Sequence, residues 1–134
     1  MVVEDDPQVL EFIRVCLQGA GYTALTAVHP QDATKILRTH MGPIDLLLTD
    51  VIMPALHGSD VARIARRFRP EIALAFISGF DPRSFRDDQA LPEGSMLIAK
   101  PFSRDTLLGS VRSALDRHSV RESSTASDGE SAST

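Results

Sequence analysis

"LLLTDVIMP", residues 46–54, joins a run of apolar side chains to a single carboxylate, Asp50. With the residues before it, the stretch "IDLLLT" (44–49) is almost continuously apolar, which is typical of a strand covered on both faces of a parallel sheet. A charge at the end of such a strand is costly to bury unless a partner compensates it. Asp50 is therefore either the first polar residue of a loop or a group that the fold positions for chemistry.

Strand-like and helix-like segments alternate on both sides of this stretch. Short apolar runs between polar or Gly/Pro residues indicate strands, and apolar residues spaced three and four apart indicate amphipathic helices. The predicted strands are residues 1–3, 22–27, 44–49, 72–77 and 96–99. The predicted helices are residues 6–18, 29–40, 59–68, 81–93 and 103–118, and the fourth of these has the weakest periodicity.

This (βα)5 alternation predicts an α/β fold of the doubly wound, flavodoxin-like type, a three-layer sandwich with helices on both faces of a parallel sheet. The expected order of the five strands is 2-1-3-4-5. One domain is expected over residues 1–118. Residues 119–134 are rich in Ser and contain little apolar surface, so we expect a disordered tail that cannot offset the entropy cost of ordering.

Local signals predict how the helices begin and which faces they bury. Asp6 is interpreted as a helix cap rather than a metal ligand, and Ser59 and Ser103 are the expected N-caps of two later helices. Phe68 is expected to face inward at the end of the helix over 59–68. The first helix is expected to place residues 9, 10, 12, 13, 16 and 17 on one inward face.

Composition excludes several classes of protein. The net charge of the 134 residues is -4, and no block of basic residues is interleaved with aromatics, so direct nucleic-acid binding is not expected. Cys16 is the single cysteine, which excludes an intrachain disulfide and a cysteine-based metal site. No apolar run approaches the roughly 20 residues of a membrane span, and no signal peptide is recognisable. We therefore expect a cytoplasmic protein that does not bind membranes.

Polar residues follow the predicted strands where each one ends. Glu4 and Asp5 follow the first strand, Asp50 the third, Ser78 the fourth and Lys100 the fifth. Because the carboxyl ends of parallel strands meet at one edge of the sheet, these groups are expected to converge. Clustered carboxylates repel one another, and Mg²⁺ relieves that repulsion while using few protein ligands. Such a site suits phosphoryl transfer to Asp50 as a carboxylate nucleophile, with lysine, hydroxyl and metal stabilising the phosphoryl charge.

The sequence resembles the receiver domain of two-component response regulators. The matching motifs are "VVEDD" (2–6), "LLLTDVIMP" (46–54) followed by Gly58, "FISGF" (76–80) and "AKPF" (99–102). They occur in the family's order and cover residues 1 to about 118. The segments "GPIDLLLTDVIMP" and "FISGF" are most similar in sequence to those of receivers of hybrid histidine kinases and of related stand-alone receivers.

The resemblance implies a metal and phosphate site with assigned roles. Asp50 is the implied phosphoacceptor. Asp5 and Asp50 are the implied Mg²⁺ ligands, Glu4 acts through water, and Ile52 supplies its backbone carbonyl.

The resemblance also implies a switch. Ser78 takes the switch position, Lys100 binds the phosphate, and the peptide bond before Pro101 is expected to be cis. Leu97 stands where the family has its aromatic switch residue, which makes that element degenerate here.

The function expected from these residues is a phosphoacceptor in a two-component phosphorelay. The donor would be a histidine kinase or a histidine phosphotransfer protein, and the output would be contact with an unknown downstream protein. Such a receiver catalyses only its own phosphorylation and dephosphorylation, so it is not expected to be an enzyme, and it is expected to be a monomer or weak dimer. Bulky apolar residues at Ile52 and Phe80 predict slow hydrolysis of the phosphoryl group.

Two alternatives stay open. Leu97 and the short first strand are compatible with a pseudo-receiver, an interaction module of the same fold that works without phosphorylation. A phosphatase is disfavoured, because that class typically has a second carboxylate two residues after the nucleophile, where this chain has Ile52.

Overall fold

Five parallel strands form one sheet in the computed structural model, which describes residues 1–53, 57–79, 91–92 and 94–117. The strands are β1 (Val2–Val3), β2 (Thr26–Ala27), β3 (Leu46–Asp50), β4 (Ala73–Ser78) and β5 (Met96–Ala99). The sheet order is β2-β1-β3-β4-β5, which confirms the prediction of a doubly wound parallel sheet.

Four helices connect or flank these strands within the described residues. They are α1 (Pro7–Gly19), α2 (Pro30–Thr39), α3 (Gly58–Phe68) and α4 (104–117). The predicted helix at 81–93, apart from residues 91 and 92, and the predicted tail at 119–134 lie outside the described residues. None of the helices in the described part of the chain has the length and apolar content that a bilayer crossing requires.

Strand lengths differ from the sequence prediction, and backbone pairing explains the difference. β1 offers only two residues, Val2 and Val3, so β2 pairs with it only at Thr26 and Ala27 rather than over 22–27. β3 and β4 each end one residue later than predicted, and they also begin later, β3 by two residues and β4 by one. Asp50 pairs with Ile77, and Ser78 pairs with Ala99, so both polar residues belong to strands.

The core consists of two apolar clusters, one on each face of the sheet. Successive side chains of a strand point to opposite faces, so a strand covered on both sides must be apolar throughout. Val3, Leu47 and Phe76 pack with residues of α2 and α3. Val2 and Leu48 belong to the cluster that contains α1 and α4. The run of apolar residues in β3 is therefore continuous because β3 belongs to the sheet, which is the middle layer of the predicted sandwich.

Two of the three predicted helix caps are present. The Asp6 carboxylate accepts from the backbone N–H of Gln8 at 2.9 Å, and the Ser103 hydroxyl accepts from the N–H of Thr106 at 3.1 Å. The prediction that Ser59 is the N-cap of α3 was wrong, because this helix begins at Gly58 and its N-cap is His57. A histidine ring takes the place expected for the Ser59 hydroxyl.

Two predictions of inward-facing residues were also wrong. Phe68 is 40% exposed, because α3 packs on the sheet through Val61, Ala62 and Ala65 and ends at Phe68 itself. Phe12 of α1 is 43% exposed, and the buried stripe of that helix instead consists of Leu10, Ile13, Cys16 and Leu17.

Candidate functional site

Three carboxylates meet at the carboxyl edge of the sheet. β1 and β3 pair so that Val3 lies opposite Thr49. The residues that follow these two in the sequence are Glu4 and Asp50. Glu4, Asp5 and Asp50 each offer a carboxylate oxygen, and these oxygens lie within 4.8 Å of one another. The sheet thus brings together the acidic residues that the strand-end argument predicted.

Asp50 is the last residue of β3 and is 7% exposed. Its Oδ2 accepts from Lys100 Nζ at 3.1 Å, and its Oδ1 lies 3.4 Å from the backbone N–H of Ile52. The second contact is long for a hydrogen bond and contributes little. The buried charge is therefore compensated mainly by one lysine.

Glu4 is the most deeply buried of the three acids, with 1% exposure. Its Oε1 accepts from the Asp6 N–H at 3.1 Å, whereas its Oε2 has no hydrogen bond to any described residue and lies 3.9 Å from Lys100 Nζ. Burial and then the neighbouring charge of Asp50 raise the pKa of Glu4 to about 7, against the opposing effect of the Asp6 N–H. A buried carboxylate oxygen without a hydrogen bond, beside two other carboxylates, fits a hard divalent cation.

Lys100 lies between the acidic groups at the end of β5. Partial burial acts to lower its pKa, but the hydrogen bond to Asp50 and the charges of Asp50 and Glu4 outweigh burial, so the pKa is raised. The lysine is therefore cationic at neutral pH. Its backbone N–H donates to the Ser78 carbonyl at 2.9 Å, and the Lys100–Pro101 peptide bond is cis.

Ser78 and Leu97 occupy different positions relative to this cluster. Ser78 ends β4, is buried, and lies one residue beyond Ile77, the register partner of Asp50. Leu97 pairs with Phe76, two residues before Ser78, and is 36% exposed on the edge strand. Ser78 thus shares the strand ends with Asp50, while Leu97 sits further back along the sheet.

The connection after Asp50 folds back on β3. Ile52 forms an isolated antiparallel bridge with His57, and the Gly58 N–H donates to the Val51 carbonyl at 2.6 Å. A Cβ atom on Gly58 would overlap the Asp50 carbonyl oxygen and lie 2.9 Å from Val51 Cα, so only glycine allows this approach. Phe80, the second predicted shielding residue, lies outside the described residues.

An apolar groove that sequence reasoning missed lies beside Lys100. It has a volume of about 480 Å³, and its lining includes Phe12, Pro101 and Phe102. The Phe12 and Phe102 rings are 6.1 Å apart. The signal in the sequence is that α1 has more apolar residues than one helical face holds, Val15 among them. The structure leaves both Phe12 and Val15 exposed.

The sheet order and the acidic cluster at its carboxyl edge define a CheY-like α/β domain. The chain belongs to the response regulator receiver domain family, whose sequence profile matches residues 1–112. Receiver domains of this family act in two-component signalling with histidine kinases or phosphotransfer partners.

Individual relatives include both types of receiver that the motifs suggested. The chain is 30% identical over 115 residues to the response regulator receiver protein CpdR of Brucella abortus, covering 86% of this chain and 94% of that protein. It is 29% identical over 117 residues to the sensor kinase CckA of the same bacterium, covering 87% of this chain but 12% of the kinase. A solved receiver domain of the hybrid histidine kinase CckA matches with a TM-score of 0.72 and 31% identity, over 85% of this chain and 95% of that one.

Proposed function

We propose that this chain is a phosphoacceptor receiver in which Asp50 takes a phosphoryl group from a phosphohistidine of a two-component phosphorelay. The observation that carries the proposal is the geometry around Asp50. Its carboxylate lies 3.1 Å from Lys100 Nζ and within 4.8 Å of carboxylate oxygens of Glu4 and Asp5. A nucleophile, a cation and a cation-binding acidic pair are the groups that phosphoryl transfer needs at one place.

In the proposed reaction, a carboxylate oxygen of Asp50 attacks the phosphorus atom. An O–P bond forms while the N–P bond of the donor breaks, and the electron pair remains on the imidazole nitrogen of the donor. Lys100 then contacts a phosphoryl oxygen as a compact point charge instead of Asp50. We assign Ser78 the role of hydroxyl donor to another phosphoryl oxygen, and its position at the end of β4 supports this role.

We assign the cation to Mg²⁺, with Asp5 and Asp50 as direct ligands, Ile52 as a carbonyl ligand and Glu4 acting through water. When bound, the cation neutralises the repulsion among the carboxylates and the charge on the phosphoryl group. The buried Glu4 Oε2, which has no hydrogen bond to any described residue, supports this assignment.

The proposed phosphodonor is a histidine kinase or a histidine phosphotransfer protein. Support comes from the similarity to the CckA receiver and from the exposed apolar groove of Phe12, Pro101 and Phe102, which adjoins Lys100. The proposed output is contact with a downstream protein. On this proposal the chain is not an enzyme, since it catalyses only its own phosphorylation and dephosphorylation.

Phosphorylation by acetyl phosphate in MgCl₂ tests the proposal. We expect the intact mass of the protein to increase by one phosphoryl group, and we expect Asp50→Asn to abolish the increase. Asp60→Asn is a matched control, because Asp60 is a partly exposed aspartate of α3 that pairs with Arg63. Failure of the unmodified protein to incorporate a phosphoryl group would contradict the proposal.

A pseudo-receiver remains the second candidate, and Leu97 is the observation that favours it. An aliphatic side chain on edge strand β5 replaces the aromatic residue that the family couples to its switch hydroxyl. Amide NMR spectra before and after acetyl phosphate treatment distinguish the phosphoacceptor receiver from the pseudo-receiver. Shifts that spread along β4 and β5 favour a phosphorylation switch, and shifts confined to residues beside Asp50 favour the interaction module.

A further inference from the structure

His57 is the centre of the contacts that close the connection between β3 and α3. Its backbone bridges to Ile52, and the neighbouring Gly58 N–H donates to the Val51 carbonyl at 2.6 Å. These two contacts hold the first residues after Asp50 against the first residues of α3. The position of the Ile52 backbone therefore depends on how firmly α3 begins at His57.

The His57 side chain supplies the cap of α3. Its Nδ1 accepts from the backbone N–H of Ser59 at 3.1 Å and lies 2.7 Å from the Ser59 hydroxyl oxygen. A ring nitrogen that accepts an N–H bond carries no proton, so Nδ1 is an unprotonated nitrogen of the ring. Helix N-termini leave N–H groups without intrahelical partners, and a side-chain acceptor at this position stabilises the first turn.

We propose that His57 is a positioning residue for the metal site, acting through the backbone of Ile52. The inference rests on the proposed function, in which the Ile52 carbonyl is a ligand of Mg²⁺. Ser59 is buried, so removal of the His57 ring would leave its N–H without this acceptor. The first turn of α3 would then loosen. The backbone bridge between His57 and Ile52 would hold the Ile52 carbonyl less firmly in place.

The test is the Mg²⁺ dependence of phosphorylation by acetyl phosphate in four proteins: the unmodified chain, His57→Ala, His57→Asn and Arg66→Gly. For His57→Ala we expect the half-saturating Mg²⁺ concentration to rise about fivefold, as for the loss of a typical N-cap. The rate at saturating Mg²⁺ should be retained. Asn is a strong N-cap residue, so His57→Asn should restore the half-saturating concentration.

Arg66→Gly separates positioning from general stability. It weakens the same helix to an extent comparable with the loss of a cap, but it lies away from the connection to β3. We expect this variant to show the half-saturating Mg²⁺ concentration of the unmodified chain. The inference is overturned if Arg66→Gly behaves like His57→Ala, or if His57→Asn is as defective as His57→Ala.

Hydrogen exchange of the Gly58 and Ser59 amides separates this inference from the proposed function. If the unmodified protein takes up no phosphoryl group, the proposed function fails by itself. Faster exchange in His57→Ala than in Arg66→Gly then still supports the role of His57 in holding the connection. Equal exchange in the two variants overturns that role.

Discussion

Glu4 carries a carboxylate that the fold almost completely removes from water. Its pKa is raised to about 7 from an ordinary value of 4.5, mainly by burial. The folded state therefore binds a proton at Glu4 more tightly than the unfolded state does. The resulting stabilisation is fully present below pH 4.5 and is lost as the pH rises through about 7.

At the residue scale, Glu4→Gln should remove this pH dependence in the absence of divalent cations. Relative to the unmodified protein, the variant should gain unfolding free energy between pH 5 and pH 8, by at most about 3 kcal/mol. Urea unfolding in EDTA at the two pH values measures the difference. Glu71→Gln, at an exposed position, is the control. A stability difference between variant and unmodified protein that is the same at both pH values would contradict the argument.

The connection between β3 and α3 shows how one residue limits the position of two elements. Gly58 is the first residue of α3, and its Cα faces the backbone of Asp50 and Val51. Any side chain there would push the helix away from the end of β3. Since Asp50 ends β3, the same displacement would alter the acidic cluster.

At the element scale, Gly58→Ala should lower the unfolding free energy by about 2 kcal/mol or more, because backbone atoms cannot yield to the added methyl group. It should also weaken Mg²⁺ binding. Gly109→Ala in α4 is the matched control, since a Cβ there meets nothing within 4 Å. That change should raise the unfolding free energy by about 0.5–1 kcal/mol. Denaturant unfolding measures the free energies, and Mg²⁺ titration measures the binding. Equal stability of the two variants would contradict the claim that Gly58 is required by close backbone packing.

The acidic cluster joins residues from distant parts of the chain, so cation binding should stabilise the whole molecule. A ligand that binds only the folded state raises stability by RT ln(1 + [L]/Kd). Glu4, Asp5 and Asp50 come together only when β1 and β3 are paired. The unfolded chain therefore lacks the site.

At the scale of the whole molecule, Mg²⁺ at ten times its Kd should stabilise the fold by about 1.4 kcal/mol. This should appear as a rise in Tm of a few degrees, on the order of 3–6 °C. Thermal unfolding in MgCl₂, compared with NaCl of equal ionic strength, measures the effect. Asp5→Asn should reduce it, and Asp6→Asn, which retains the cap of α1, should not. Equal Tm values in the two salts would contradict the cation site.

Much of the architecture could be predicted from local patterning. The apolar run before Asp50 and the helical spacing between the strands predicted the parallel sheet, its order and its two helical layers. The same reasoning placed Glu4 and Asp50 at one sheet edge, because parallel strands bring their carboxyl ends together. These properties depend on residue spacing along the chain, which a sequence displays directly.

Contacts between distant segments could not be predicted in the same way. Asp50 and Ser78 belong to strands because Ile77 and Ala99 pair with them, and β2 is short because β1 offers only two partners. The exposure of Phe12 was likewise decided by how α1 packs.

The sequence by itself therefore determined the fold class and the set of polar residues at the strand ends. Only the tertiary structure decided which of them pair. It joined Lys100 to Asp50, 50 residues away, buried Glu4 Oε2 without a hydrogen bond to any described residue, and made His57 the cap of α3. The physical reason is that desolvation and hydrogen-bond pairing depend on neighbours in space, while periodicity depends on neighbours along the chain.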